Sequence, residues 1–259
     1  MLPAAGALIG VLALAAALSP PAAAAPLRGI DVSRFEGRIG WSTVARSGIG
    51  FAFVQASRGR GGDCSVKPWT CGPDGHYDFN YSRARAEGIR VGAYHRAFAG
   101  GDSVAAAKRD ARAEARLFLE QVGRLRSGDL LPALDFETPF EGLSPRRLRA
   151  WVTVWCRLVE DRLGARPMIY TNAHSWGFTG DAGAFARAGH QLWVAHWGVS
   201  RPLVPARDWG GRGWSAWQYT NAGRVPGIKG RTGLSRLRVP LRAISVPRAP
   251  APRPEPTRR

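Results

Sequence analysis

The sequence predicts an α/β fold, a TIM-like barrel with an incomplete helix set. Three observations predict it. Strand-like and helix-like segments alternate regularly from residue 27 to residue 171, the pattern of a parallel sheet. The 259 residues suit one barrel of about 250 residues better than two ordinary domains. In the last third, strand-like segments follow one another through short loops, so the closing strands are expected to lack their helices.

Residues 27–33 read as a first strand that delivers Asp31 to its end, and residues 41–48 as a helix closed by Gly48. A second apolar strand, residues 49–56, runs into Ser57-Arg58-Gly59 and a Gly/Pro-rich excursion over residues 60–76. The helix over residues 77–88 has Asp78 in its first turn and Gly88 past its end. Residues 89–95 make the third strand, and residues 103–122 a long amphipathic helix with Ala107, Ala111, Ala115, Phe118 and Leu119 on its apolar face. The fourth strand begins at Leu130 and meets polar residues only at its C-terminal end. Ser144 and Pro145 then open a helix as N-cap and first residue, and Gly164 ends it. Residues 167–171, 191–197 and 214–219 complete the strands legible in the pattern. From Val239 onward the chain is rich in proline and arginine and is expected to be a disordered basic tail, so the barrel domain is placed at residues 26–238 and the tail at 239–259.

The fourth strand carries the chemistry. Side chains alternate along a strand, so Asp135 and Glu137 share a face with Phe136 opposed, roughly 6 to 7 Å apart along the chain. Two carboxylates at the mouth of an apolar element raise one another's proton affinity, which lets one hold a proton while the other stays charged. In a parallel barrel all strand C-termini share one rim, and that rim carries the site. Asp31, Gln55, Arg58, Tyr94, His95, Asp135, Glu137, Tyr170, Trp193, His196, Trp217 and Gln218 fall there. Acids among flat aromatic surfaces and amide or imidazole donors suit a sugar ring, which stacks through its apolar face and hydrogen-bonds through its hydroxyls. Duller readings stay open: Trp193 and Trp217 as core filling, His95 and His196 as packing histidines, Asp31 as a helix cap, and the acid pair as partners of nearby arginines.

The first 25 residues are uncharged, with an apolar run at residues 8–14 and small residues before position 26, and read as a signal peptide that lacks the usual basic start. The run is too short and too broken by Pro20 and Pro21 for a membrane span, so secretion to the extracellular or cell-wall space without stable membrane insertion is expected. Cys64 and Cys71 lie close enough in the excursion to pair as a disulfide, whereas Cys156 sits in a helical pattern as a buried hydrophobe. No histidine or second cysteine lies at ligand spacing from the loop thiols, so no metal or organic cofactor is expected. The net charge of +18 attracts polyanions. Nucleic acid is disfavoured because the aromatics follow strand patterns instead of interleaving with arginines. Anionic cell-wall polymers fit an exported, monomeric protein better, although an arginine-rich, lysine-poor composition also follows from coding bias alone.

Seven ordered segments carry a resemblance across residues 28–237: Gly29-Ile30-Asp31-Val32-Ser33, Phe51-Ala52-Phe53-Val54-Gln55-Ala56, Val91-Gly92-Ala93-Tyr94-His95, Leu134-Asp135-Phe136-Glu137, Pro167-Met168-Ile169-Tyr170-Thr171, Leu192-Trp193-Val194-Ala195-His196 and Trp217-Gln218-Tyr219. Together they resemble the glycoside hydrolase family 25 lysozymes, the Chalaropsis-type N-acetylmuramidases. The resemblance implies eight strands in a (β/α)5(β)3-type barrel and hydrolysis of the β-1,4 bond between N-acetylmuramic acid and N-acetylglucosamine in peptidoglycan. It implies Glu137 as general acid, Asp135 as the carboxylate that steadies the developing charge or the substrate's acetamido group, and Asp31 as a further active-site acid. Two positions depart from the family pattern: Arg58 stands where an acid is common at the end of the second strand, and Gly233 where an aspartate is common near the C-terminus. Either departure weakens the site or alters its substrate, which keeps a glycan-binding barrel that does not cut as the alternative.

Overall fold

The computed structural model describes residues 27–60, 71–140 and 142–247. The expected signal peptide and Cys64 lie outside them, as does most of the Gly/Pro-rich excursion. Eight strands close into a barrel: β1 (Arg28–Val32), β2 (Ile49–Arg58), β4 (Arg90–Arg96), β5 (Ala133–Asp135), β6 (Met168–Thr171), β7 (Leu192–Ala195), β8 (Ala216–Gly223) and β9 (Thr232–Leu237). A two-residue strand, β3 (Gly72–Pro73), pairs with the end of β2. Neighbours from β1 through β8 run parallel. The closing strand β9 is antiparallel to both β8 and β1. It is the strand that sequence periodicity missed, because Thr232-Gly233-Leu234-Ser235 lacks an apolar run.

The helices follow their sequence signals. They are α1 (Trp41–Arg46), α2 (Tyr77–Ala86), α3 (Val104–Val122) and α4 (Pro145–Leu163). Ser103 Oγ accepts from Ala106 N–H at 3.1 Å and so caps α3. Ser144 caps α4 ahead of Pro145, and Gly164 ends it in the left-handed conformation that glycine adopts without strain. Beyond β6, where the helices were expected to be missing, the connections hold short ones, α5 (Ala173–Gly177), α6 (Ala184–Arg187) and α7 (Pro205–Gly211), in place of full crossover helices.

Two apolar clusters follow from strand alternation. Outward-facing strand residues meet the helices around Trp151, Trp155, Phe118, Phe136 and Trp176. Inward-facing Phe51, Phe53, Tyr94, Met168, Tyr170 and Trp193 fill the barrel. The chain stays ordered past the expected domain end at residue 238. Its Leu241–Ile244 turn buries Ile244 completely in the barrel interior, and Val246 N–H donates to Asp129 O at 2.7 Å. Leu241, Ile244 and Val246 are spaced among the prolines and arginines so that this stretch floors the barrel; only residues 248–259 of the expected tail lie outside the described residues.

A β-bulge shapes the rim. Between Gln55 and Ser57 the β2–β4 register slips, so Ser57 pairs with His95 and Arg58 with Arg96. On the opposite side of the barrel, residues 206–210 of α7 all have φ between +51° and +66°, a left-handed turn. Such a turn costs about 1–2 kcal/mol per non-glycine residue. Burial of Trp209, whose Nε1 donates to His190 O at 2.7 Å, and a 2.6 Å bond from Ala206 N–H to Asp181 hold it in place.

Candidate active site

The inward face of five strands brings Asp31, Asp135, Tyr94, Tyr170 and Trp193 around a recess of about 30 Å³ at the C-terminal rim. Asp31 comes from β1 and Asp135 from β5. Phe136 is fully buried on the outside, stacked at 4.5 Å on Phe140, which turns Asp135 inward as alternation requires. Glu137 follows at the mouth, with its side chain 28% exposed.

Arg96 at the end of β4 ties this corner together, and it was not singled out from the sequence. Its Nε lies 3.8 Å from Asp135 and 3.6 Å from Glu137. Its Nη1 donates to Glu137 O at 2.9 Å and to Ala97 O at 3.0 Å, and its Nη2 to Thr138 O at 2.7 Å. Alternation from Tyr94 was the available signal, since Arg96 must share Tyr94's face. Arg58 is not paired to the acids. Its guanidinium lies over Phe35 at 5.6 Å and Phe98 at 5.1 Å, with Nε buried and unpartnered.

A second hub is Gln218. Its Nε2 donates to Asp31 Oδ2 at 2.8 Å, and its Oε1 accepts from Tyr170 Oη at 3.0 Å and from Trp197 Nε1 at 2.8 Å. Trp197, 46% exposed, is therefore a held aromatic platform beside the recess, and it too was not singled out. Trp197 and His196 line a 390 Å³ groove with Asn172, Ala173, His174, Ala195 and Leu203. His196 is fixed there by accepting from Leu203 N–H at 2.8 Å.

Burial sets the electrostatics. Asp31 is pushed up to about 7, first by burial and then by the charges of Glu36 and Glu137, against the lowering bond from Gln218. Burial likewise raises Asp135 well above the carboxylate range, opposed by Arg96. Asp135 Oδ1 is buried without a protein partner, a free acceptor in the recess.

Gly233 explains itself locally. It pairs with Asp31 across β1 and β9, and a methyl group added there would run into the Asp31 carboxylate. The space of a side chain on β9 is taken by Asp31.

Three expected contacts need correction. His95 faces outward, fully buried, with Nδ1 at 2.8 Å from Ser57 Oγ, Nε2 at 2.7 Å from Glu114 Oε2 and its ring stacked on Trp155. Trp217 also faces outward, its Nε1 donating to His196 O at 2.8 Å. Adjacent residues of one strand cannot both face the recess, and Tyr94 and Gln218 already do. Trp193 faces inward but is only 2% exposed, stacked on Phe53 at 4.4 Å; it is the floor of the recess and not an open stacking platform. Cys71 is described but Cys64 is not, so their pairing remains an expectation.

Carboxylates at the C-terminal rim of a closed barrel, beside an exposed tryptophan, are the apparatus of a glycoside hydrolase. Comparison with known proteins gives the particular family. Residues 30–228 match the model for glycosyl hydrolases family 25. Lysozyme M1 of Streptomyces globisporus is 35% identical over 218 residues, covering 81% of this chain and 67% of that protein. The crystal structure of the bacterial lysozyme from Streptomyces coelicolor superposes with a TM-score of 0.72 at 31% identity, covering 86% of this chain and 96% of that one. The family GH25 lysozyme from Aspergillus fumigatus, at 23% identity and a TM-score of 0.69, shares the fold. This chain belongs to glycoside hydrolase family 25 and is a glycoside hydrolase of the lysozyme (muramidase) kind. It spans about two thirds of the length of Lysozyme M1.

Proposed function

We propose that the protein is an exported muramidase that hydrolyses the β-1,4 bond between N-acetylmuramic acid and N-acetylglucosamine in peptidoglycan, with Glu137 as general acid. One observation carries the reading: Arg96 binds Asp135 and Glu137 into a single acid corner, with Asp31 across the same recess. Glu137, at the open mouth, gives its proton to the departing sugar oxygen as the glycosidic bond breaks. The substrate's acetamido oxygen attacks the anomeric carbon, and Asp135 Oδ1, free of protein partners, accepts the acetamido N–H and steadies the charge that develops. Water then opens this intermediate, Glu137 takes the water's proton, and the sugar keeps its configuration. Asp31, held by Gln218, sets the field of the recess, while Tyr94, Tyr170 and Gln218 position the sugar. Trp197 and His196 extend the contact into the adjoining groove.

The test is incubation with purified peptidoglycan and measurement of new reducing ends, with Glu137→Gln as control. Wild type well above the variant supports the assignment. A second reading, a barrel that binds wall glycan without cutting it, draws on the cations at the rim, Arg58 and Arg96. Wild type equal to Glu137→Gln, with both still pelleting with the wall, would establish it.

A further inference from the structure

Outside the recess, none of the described helices is laid over part of the outer surface of the β8–β9–β1 flank, and a groove of about 530 Å³ opens there. Trp217, Arg236 and Arg28 stand in one row across it: Trp217 pairs with Arg236 across β8 and β9, and Arg236 with Arg28 across β9 and β1. All three face outward: Gln218 and Ser235, next to Trp217 and Arg236, face the interior, and Arg28 is an odd number of residues from inward-facing Asp31. The Arg236 guanidinium lies 4.1 Å from the centroid of the Trp217 ring, which fixes its plane and leaves its N–H edge free. Among the described residues neither the Arg28 nor the Arg236 side chain has a hydrogen bond or an acidic partner. Like charges directly opposite on paired strands repel, so this cation pair is an unneutralised feature of the folded chain. Tyr219 and Val199 supply apolar walls. Two guanidinium forks over an aromatic floor match carboxylates borne on a short, partly apolar chain.

We propose that this groove binds the carboxylates of the peptide stem that branches from the substrate's muramic acid. The inference rests on the muramidase reading and adds a second contact to it. Position favours the stem over a free polyanion. The loop that presents Trp197 to the recess continues as Gly198 into the groove wall, and Gln218 and Trp217 are neighbours on opposite sides of one strand. Arg28 lies three residues down β1 from Asp31, about 10 Å at strand rise. An extended peptide of four or five residues spans roughly 13–17 Å, enough to pass over the rim and down the flank. Tethering to the bound sugar also raises the effective concentration of the carboxylates at the groove.

The test compares two substrates, both freed of phosphate polymers: peptidoglycan with its stems, and glycan stripped of them by an amidase. For Arg28→Gln and Arg236→Gln, KM on the stem-bearing substrate should rise about tenfold with kcat within about twofold, and the stripped glycan should show no change. An equal change on both substrates, or none on the stem-bearing one, overturns the proposal. So does an effect seen only when phosphate polymer is left on the wall. Independently of hydrolysis, a free acidic stem peptide should quench tryptophan fluorescence saturably in the wild type and more weakly in Arg28→Gln, an exposed position whose side chain makes no hydrogen bond in the described fold. No saturable binding overturns the groove assignment, whereas binding without any reducing-end release would leave the groove standing and remove the muramidase reading.

Discussion

At the scale of the residue, the site is governed by what burial does to carboxylates. Asp31 is pushed up to about 7 in the folded protein and returns to an ordinary carboxylate value when unfolded. Between those values the folded state holds a proton that the unfolded state has released, so stability from this group falls as pH rises from about 4 to 7. Asp31→Asn should therefore gain stability relative to wild type on going from pH 4.5 to pH 8, read as urea midpoints; a difference independent of pH would contradict the assignment. Arg96 acts in the opposite sense, lowering Asp135 and bonding three backbone carbonyls. Arg96→Gln should move the limb of the pH–activity profile set by Asp135 to higher pH and cost about 2–4 kcal/mol of stability. Gly233→Ala should displace Asp31, seen as loss of activity with little change in fold.

At the scale of the element, most of the barrel was legible in the sequence because capping and periodicity agree with the final packing. Ser103, Ser144, Pro145 and Gly164 mark α3 and α4 to within a residue. The acid strand was legible for the same reason, with Phe136 anchoring the outer face. What escaped had physical causes. β9 carries Gly233 and Ser235 inward, against Asp31 and Trp193, and so never presents an apolar run. His95 and Trp217 were placed at the rim by strand position, but alternation sends them outward and sends Arg96, the residue beyond His95, inward. The left-handed turn at residues 206–210 had no glycine signal until Gly210, since it is imposed by Trp209 and Asp181. Arg207, exposed with φ of +54°, is the place to test it: Arg207→Gly should stabilise by up to about 1 kcal/mol in thermal unfolding. A loss of stability would show that the turn depends on more than its anchors.

At the scale of the whole molecule, the chain carries a net charge of +18 while its recess is acidic. Such a field attracts polyanions and weakens as salt shortens its reach. Co-sedimentation with purified walls should fall steeply between about 50 and 500 mM NaCl, while a retention independent of salt would leave the charge without a role in wall binding. The recess works beneath this field because Arg96 and Gln218 hold the acids from two sides of one closed barrel. The most direct measurement is the rate of reducing-end release from purified peptidoglycan by wild type and Glu137→Gln. The account predicts release by wild type and a loss of at least about a hundredfold in the variant at unchanged thermal stability. Equal release by the two proteins would contradict it.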